Sequence, residues 1–210
     1  EPEGVTASEV SEYVGSILEL KYDIHQRTIY LMEDIDSDTA RQFIILLNFL
    51  DNISNDPIRI ILNCSGGDEE PGYAIFDAIR LAQSPVLIDG IGIVASIAAV
   101  IFQAGDIRRL SRNAVFMVHN GSVDLPNTID QDKVLTISEI IRVNNEKYYQ
   151  LLAQRSSLSV AEIRAMSKAE TFLDAPAAVK AGFADHLWLP RKKRVDKILA
   201  RWSIGKGLNP

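Results

Sequence analysis

The stretch IRIILNCSGGDEEPGYAIFDAI, residues 58–79, holds the pattern that decides the fold. Residues 58–63 (IRIILN) form a short, nearly continuous apolar run, as expected of a strand covered on both faces. Gly66 and Gly67 break that run, and Tyr73, Ile75, Phe76, Ile79 and Leu81 then follow as the apolar positions of a helix. The same unit recurs on either side. Upstream, residues 27–32 (RTIYLM) have the β-branched and aromatic character of a strand. Asp36, Ser37 and Asp38 offer N-caps for a helix through Phe43, Leu46, Leu47 and Leu50. Downstream come a strand at 86–88, a helix at 96–103 and a strand at 114–118 that ends at His119. Residues 130–155 read as one extended helix, with Ile137, Ile140, Ile141, Tyr148, Leu151 and Leu152 on a recurring stripe. Strands and helices alternating through short connections predict an α/β fold with a mainly parallel sheet.

Composition sets the bounds. With 210 residues, 47% of them hydrophobic, the chain can bury one substantial core as a single domain. A net charge of −6 and an isoelectric point near 5.1 argue against nucleic-acid binding as the main function. A single cysteine, Cys64, excludes an intramolecular disulfide, suits a reducing compartment, and is expected to fill core space. No signal-peptide pattern is evident at the N-terminus. The most apolar stretch, residues 85–104, is interrupted by Asp89, Gly90 and Gly92, and reads as a buried strand and helix, with no membrane contact expected. His25 and His186 lack neighbours at metal-ligand spacing, so neither a metal nor another cofactor is expected. Residues 1–20 form a polar, acidic N-terminal arm, residues 21–190 the folded domain, and residues 191–210 a basic C-terminal tail. In that tail, Arg191–Arg194 reads as the solvated face of a short helix, with Trp202 seeking cover.

The candidate chemistry sits where apolar strands end. Ser96, within GIGIVASIAA (residues 90–99), stands at a strand-to-helix junction. Free backbone N–H groups and the helix dipole there favour developing negative charge, which suits a nucleophile; an ordinary N-cap serine is the plainer reading. His119, closing the strand MVH, lies where α/β sheets gather functional groups. Beside a serine nucleophile it becomes a candidate general base. Gly66 and Gly67 let the backbone approach a ligand closely, although a plain turn would look the same.

Taken together, these blocks resemble the proteolytic subunit of the Clp protease (ClpP). Asn63 to Gly67, then Gly72 to Asp77, Ser96 with Ile97, Met117-Val118-His119, and Phe172-Leu173-Asp174-Ala175-Pro176 follow in family order. The resemblance runs from about residue 22 to residue 187. It implies a ClpP/crotonase-like spiral of ββα units, with residues 130–155 as a protruding handle helix. It also implies a serine endopeptidase with Ser96 as nucleophile, His119 as base, and the backbone N–H groups of Gly67 and Ile97 as oxyanion hole. Glu170 falls where the family usually has aspartate and would orient the histidine; Asp174 is its nearest rival. The implied assembly is a homo-oligomer, a heptameric ring doubled to a tetradecamer, fed with unfolded polypeptide by an AAA+ unfoldase in the cytoplasm. Neither nucleic acid nor membrane is an expected partner.

Several positions depart from the family pattern and mark a divergent member. Ser65 replaces the proline before the glycine pair, Asp68-Glu69-Glu70 replace small apolar residues, and residues 121–126 lack the usual glycine-rich strand. Three alternatives stay open at this point: a non-catalytic ring subunit, a crotonase-type acyl-CoA hydratase or isomerase, and a membrane-associated Ser–Lys peptidase.

Overall fold

The structure, a computed structural model, describes residues 13–15, 17, 19, 21–122 and 130–189. The expected arm at 1–20 lies largely outside the described residues, and the basic tail at 191–210 wholly so.

Eight strands form one sheet: β1 (Tyr22–Asp23), β2 (Thr28–Leu31), β3 (Ile58–Cys64), β4 (Val86–Ala95), β5 (Ile107–Ser111), β6 (Val115–Val118), β7 (Thr171–Asp174) and β8 (His186–Trp188). The order is β1-β2-β3-β4-β5-β8, with β6 joined to both β4 and β7. Pairing is parallel except between β1 and β2 and between β6 and β7. After β1 the described residues form the helices α1 (Ser37–Ile53), α2 (Glu69–Leu81), α3 (Ile97–Gln103), α4 (Gln131–Ala153), α5 (Val160–Lys168) and α6 (Ala175–Lys180). Asp36 is the N-cap of α1, its carboxylate accepting from the Thr39 N–H at 2.7 Å, and Asp130 caps α4 in the same way.

Strand β4 is much longer than the 86–88 expected from its apolar run. It continues to Ala95 because it bends and changes partner. Leu87 to Gly90 pair with β5, whereas Ile93 to Ala95 pair with β6. The bend falls at Gly92, whose φ of 59° suits glycine. A Cβ there would stand 2.4 Å from Asn63 Oδ1, which accepts from the Ile93 N–H at 3.0 Å. Asn63 thereby supplies the hydrogen bond that the β3–β4 ladder loses where its register shifts between Leu62 and Cys64.

The core lies between one face of this sheet and the helices. Helix α3 is apolar except for its last residue, Gln103, and every residue in it is buried, as a helix apolar on all sides requires. Phe116 stacks on Phe183 at 4.8 Å and meets Phe102 at a tilt of 58°, 6.1 Å away, beneath it. Helix α4 buries Tyr148, Tyr149 and Leu152 near its C-terminal end, while Val134, Leu135, Ile140 and Val143, from its start to just past its midpoint, are exposed. No helix among the described residues is long and apolar enough to cross a membrane.

Candidate active site

The β4–β6 pairing brings the serine and the histidine together. Ala95 lies beside Met117 in register, and the Ser96 N–H donates to the Met117 carbonyl at 3.1 Å. One residue past Ala95 and two past Met117, both chains leave the sheet on the same side. Ser96 Oγ and His119 Nε2 are then 2.8 Å apart. With Nε2 unprotonated, the serine hydroxyl donates to it, the arrangement a general base needs to withdraw the proton. Ser96 occupies the N-cap position of α3, yet its side chain makes no capping bond. The hydroxyl turns to the imidazole instead. The ordinary N-cap reading therefore fails on geometry. The backbone at Ser96 has φ 57° and ψ −130°, a conformation rarely adopted by residues with a Cβ.

The glycine pair packs tightly against this serine. A Cβ on Gly66 would approach Ser96 Cβ to 2.6 Å, so only glycine fits. The loop is tied down by the Ile35 N–H donating to Gly66 O at 2.8 Å and by the Asp68 N–H donating to Ile35 O at 2.7 Å. Those bonds leave out the Gly67 N–H, and the Ile97 N–H is the first of a helix, where no intrahelical acceptor exists. Cys64 is buried beneath the turn, where burial pushes its thiol pKa up and its sulfur accepts from the Gly66 N–H at 3.3 Å.

A cleft of about 420 Å3 opens over the pair, lined among others by Gly67, Glu69, Ser96, His119, Ile141 and Asn144. Asp68, Glu69 and Glu70 all face it, so its charge is acidic. Burial holds the Glu69 carboxyl above the usual glutamate range, against the opposing pull of Asn144, His119 and Lys147.

Sequence reading assigned Tyr148 to the handle stripe and missed its place at this site. Its hydroxyl is 3.4 Å from the Ser96 carbonyl, and the His119 backbone amide also bonds to it. Burial drives its pKa far up, so it serves here as a neutral hydroxyl linking the turn at Ser96 to the turn at His119. Two neighbours hold the chain after His119. Tyr149 donates to Asn120 Oδ1 at 2.6 Å, and Asn145 Oδ1 accepts from the Gly121 N–H at 2.9 Å. No sequence pattern distinguished these tyrosines and asparagines from core and surface positions.

Glu170 is brought near by backbone only. The antiparallel β6–β7 register pairs Val118 with Thr171, which sets Glu170 across from His119. The Ser167 carbonyl accepts from both the Asn120 N–H and the Glu170 N–H, at 3.2 and 3.3 Å, tying the two turns together. The Glu170 side chain, however, is exposed and makes no hydrogen bond to His119 among the described residues. Asp174 pairs with Val115, four residues from His119 and hence roughly 13 Å down the strand. Its carboxylate is already committed to capping α6 through the Ala177 N–H at 2.8 Å. That placement removes it as the rival acid.

Comparison with known proteins agrees with this architecture. The family model described as Clp protease matches residues 16–191. The ATP-dependent Clp protease proteolytic subunit 2 of Pseudomonas aeruginosa is 29% identical over 170 residues, covering 80% of this chain and 84% of that protein. The Borreliella burgdorferi protein of the same name is 30% identical over 168 residues, covering 78% and 83%. A solved ClpP1 mutant from Listeria monocytogenes superposes with a TM-score of 0.72 at 27% identity, covering 83% of this chain and 96% of that one. A mainly parallel sheet with helices packed on it is shared with that solved structure, and the match to the family model over most of the sequence shows that the chain belongs to the Clp protease family.

Proposed function

We propose that this chain is a serine endopeptidase subunit whose nucleophile is Ser96 and whose general base is His119. The observation that carries the reading is the 2.8 Å approach of Oγ to Nε2 at the N-terminus of α3, inside a cleft. In this reaction Ser96 Oγ attacks the scissile carbonyl as Nε2 takes its proton. The oxyanion forms against the backbone N–H groups of Gly67 and Ile97. The imidazolium then delivers its proton to the leaving amine, and water, deprotonated by His119, releases the acyl group from Ser96. Glu170 is the orienting acid: a change of side-chain rotamer would point its carboxylate at the histidine across from it. Membership in the Clp protease family sets aside the crotonase-type and Ser–Lys alternatives.

The wider reading follows from the same membership. The exposed apolar residues in the first half of α4 support a homo-oligomeric ring, heptameric and doubled to a tetradecamer, with the clefts inside. The relatives are named ATP-dependent, which supports an AAA+ unfoldase delivering unfolded polypeptide. A buried free cysteine accords with a reducing, cytoplasmic setting. The domain carrying this activity spans residues 21–190, flanked by the arm and the tail.

Labelling with a fluorophosphonate and hydrolysis of a fluorogenic peptide test the assignment. Ser96→Ala is expected to remove both, and Glu170→Ala to slow hydrolysis by about a hundredfold without abolishing it. Hydrolysis surviving Ser96→Ala would overturn the reading. An unchanged rate in Glu170→Ala would pass the orienting role to another group. One observation favours a second reading, a non-catalytic ring subunit: the Glu170 carboxylate stands free of His119. Absence of labelling in the native, assembled protein would select it.

A further inference from the structure

We propose that the cleft over Ser96 selects a lysine or arginine side chain on the residue whose carbonyl is attacked, and that Glu69 determines this preference. The inference rests on the peptidase reading of Ser96 and His119, and it names the substrate class which that reading leaves open.

The cleft has walls of two characters. Helix α4 contributes Ile140 and Ile141, whereas the turn after Gly67 and the start of α2 contribute Asp68, Glu69 and Glu70. Among the described residues, no lysine or arginine lines it. Asp68 and Glu70 are exposed, but Glu69 is half-buried. Its carboxylate reaches across to the chain that leaves His119: the first atom a Cβ on Gly121 would meet is Glu69 Oε1. The Asn144 side chain, from α4, bonds to the same carboxylate. Glu69 therefore stands inside the cleft, close to the reacting pair, and does not simply trail into solvent.

The fold leaves this carboxylate without a cation. None of Asp68, Glu69 and Glu70 forms an ion pair among the described residues. Lys147, three residues after Asn144, holds its ammonium over the Tyr73 ring at 3.6 Å and takes no part in the wall. No group of three acidic, histidine or cysteine side chains among the described residues could hold a metal ion. The carboxylates thus act singly, on a ligand of single charge. Burial makes the charge of Glu69 costly, and an arriving ammonium or guanidinium would offset that cost.

Lysine and arginine join an apolar stem to a charged tip. Ile140 and Ile141 suit the stem, and Glu69 suits the tip. An aliphatic side chain would cover Glu69 without pairing it, and an acidic one would add like charge. The position follows from the chain. A carbonyl held by the Gly67 and Ile97 N–H groups brings the residue that bears it beside Glu69, only two residues after Gly67.

The test uses the full chain in its assembled form, with three capped fluorogenic tripeptides that differ only in carrying lysine, leucine or glutamate at the cleaved bond. The kcat/KM of the lysine peptide is expected to exceed that of the leucine peptide about tenfold and that of the glutamate peptide about a hundredfold. The lysine-to-leucine ratio should shrink as salt rises above about 0.1 M. Glu69→Gln should bring that ratio to about two or less, and Glu69→Lys should make the glutamate peptide faster than the lysine peptide. A native protein that reacts with fluorophosphonate at Ser96, yet cleaves the leucine peptide as fast as the lysine peptide, would overturn this specificity alone. A native preference for lysine that survives Glu69→Gln would overturn the role of Glu69. Loss of both labelling and hydrolysis in the native protein would overturn the peptidase reading, and this inference with it.

Discussion

At the scale of single residues, Ser96 is defined by a backbone conformation that its side chain does not favour. Four non-glycine residues among those described have positive φ, and two of them, Ser96 and Glu170, flank His119. Ser96 is held there by its N–H bond to Met117, by its carbonyl accepting from the Ala99 N–H at 2.9 Å, and by the Tyr148 hydroxyl. Strain of this kind costs of the order of 1–3 kcal/mol, offset by the surrounding bonds. Ser96→Gly should therefore unfold at higher urea than Ser96→Ala, by about 1 kcal/mol, although both lack the serine hydroxyl. Equal midpoints would show that the turn stores no strain. The sequence revealed that a serine begins α3. It did not reveal that the serine's hydroxyl abandons the helix for an imidazole, because that choice depends on a strand 23 residues away.

At the scale of elements, the bend in β4 aims the site. Gly92 turns the strand away from β5 and onto β6, and Asn63 fills the gap from β3. Gly92→Ala would place a methyl 2.4 Å from Asn63 Oδ1 and force a β-carbon into positive φ. The expected cost is about 2 kcal/mol, from the lost Ile93 hydrogen bond and the backbone strain together. For a chain of this size that is roughly 4–8 °C in Tm by calorimetry. Adding Asn63→Ala should cost less than the sum of the two single changes, since both break the same bond. Strictly additive losses would mean that the asparagine does not shape the bend. In the sequence, Gly90 and Gly92 mark an interruption and suggest that the strand ends early. The interruption is a change of partner, and partner exchange between non-adjacent strands leaves no periodic signal.

At the scale of the whole molecule, α4 is half buried and half unsupported. Its C-terminal turns pack Tyr148, Tyr149 and Leu152 into the core behind the active site, whereas Leu135 is 61% exposed and Val143 49%. An apolar row on a helix that its own chain leaves uncovered is stable when another copy covers it. Leu135→Glu combined with Val143→Glu should reduce the particle mass by light scattering while the circular dichroism of the subunit is kept. A particle of unchanged mass would place the interface elsewhere. On the proposed function the same helix would join assembly to chemistry, because Tyr148 at its buried end touches both turns of the Ser96–His119 pair.

By itself, the sequence determined the α/β class, the strands and helices from β2 to α4 other than β5, and the candidate pair Ser96 and His119. Local periodicity, glycine breaks and chemically distinctive side chains carry that information in short windows. The short elements β5, β7, β8, α5 and α6 were not read, being three to nine residues each and stabilised by packing more than by pattern. Only the tertiary structure decided that Asp174 serves as a helix cap, that Glu170 lies across from His119 with its carboxylate turned outward, and that Tyr148 joins two turns. It alone gathered Arg59, Asp89, Arg109 and Trp188 from four strands onto one face. Such groupings depend on register between segments far apart in the chain, and register is fixed by the packing of the entire core.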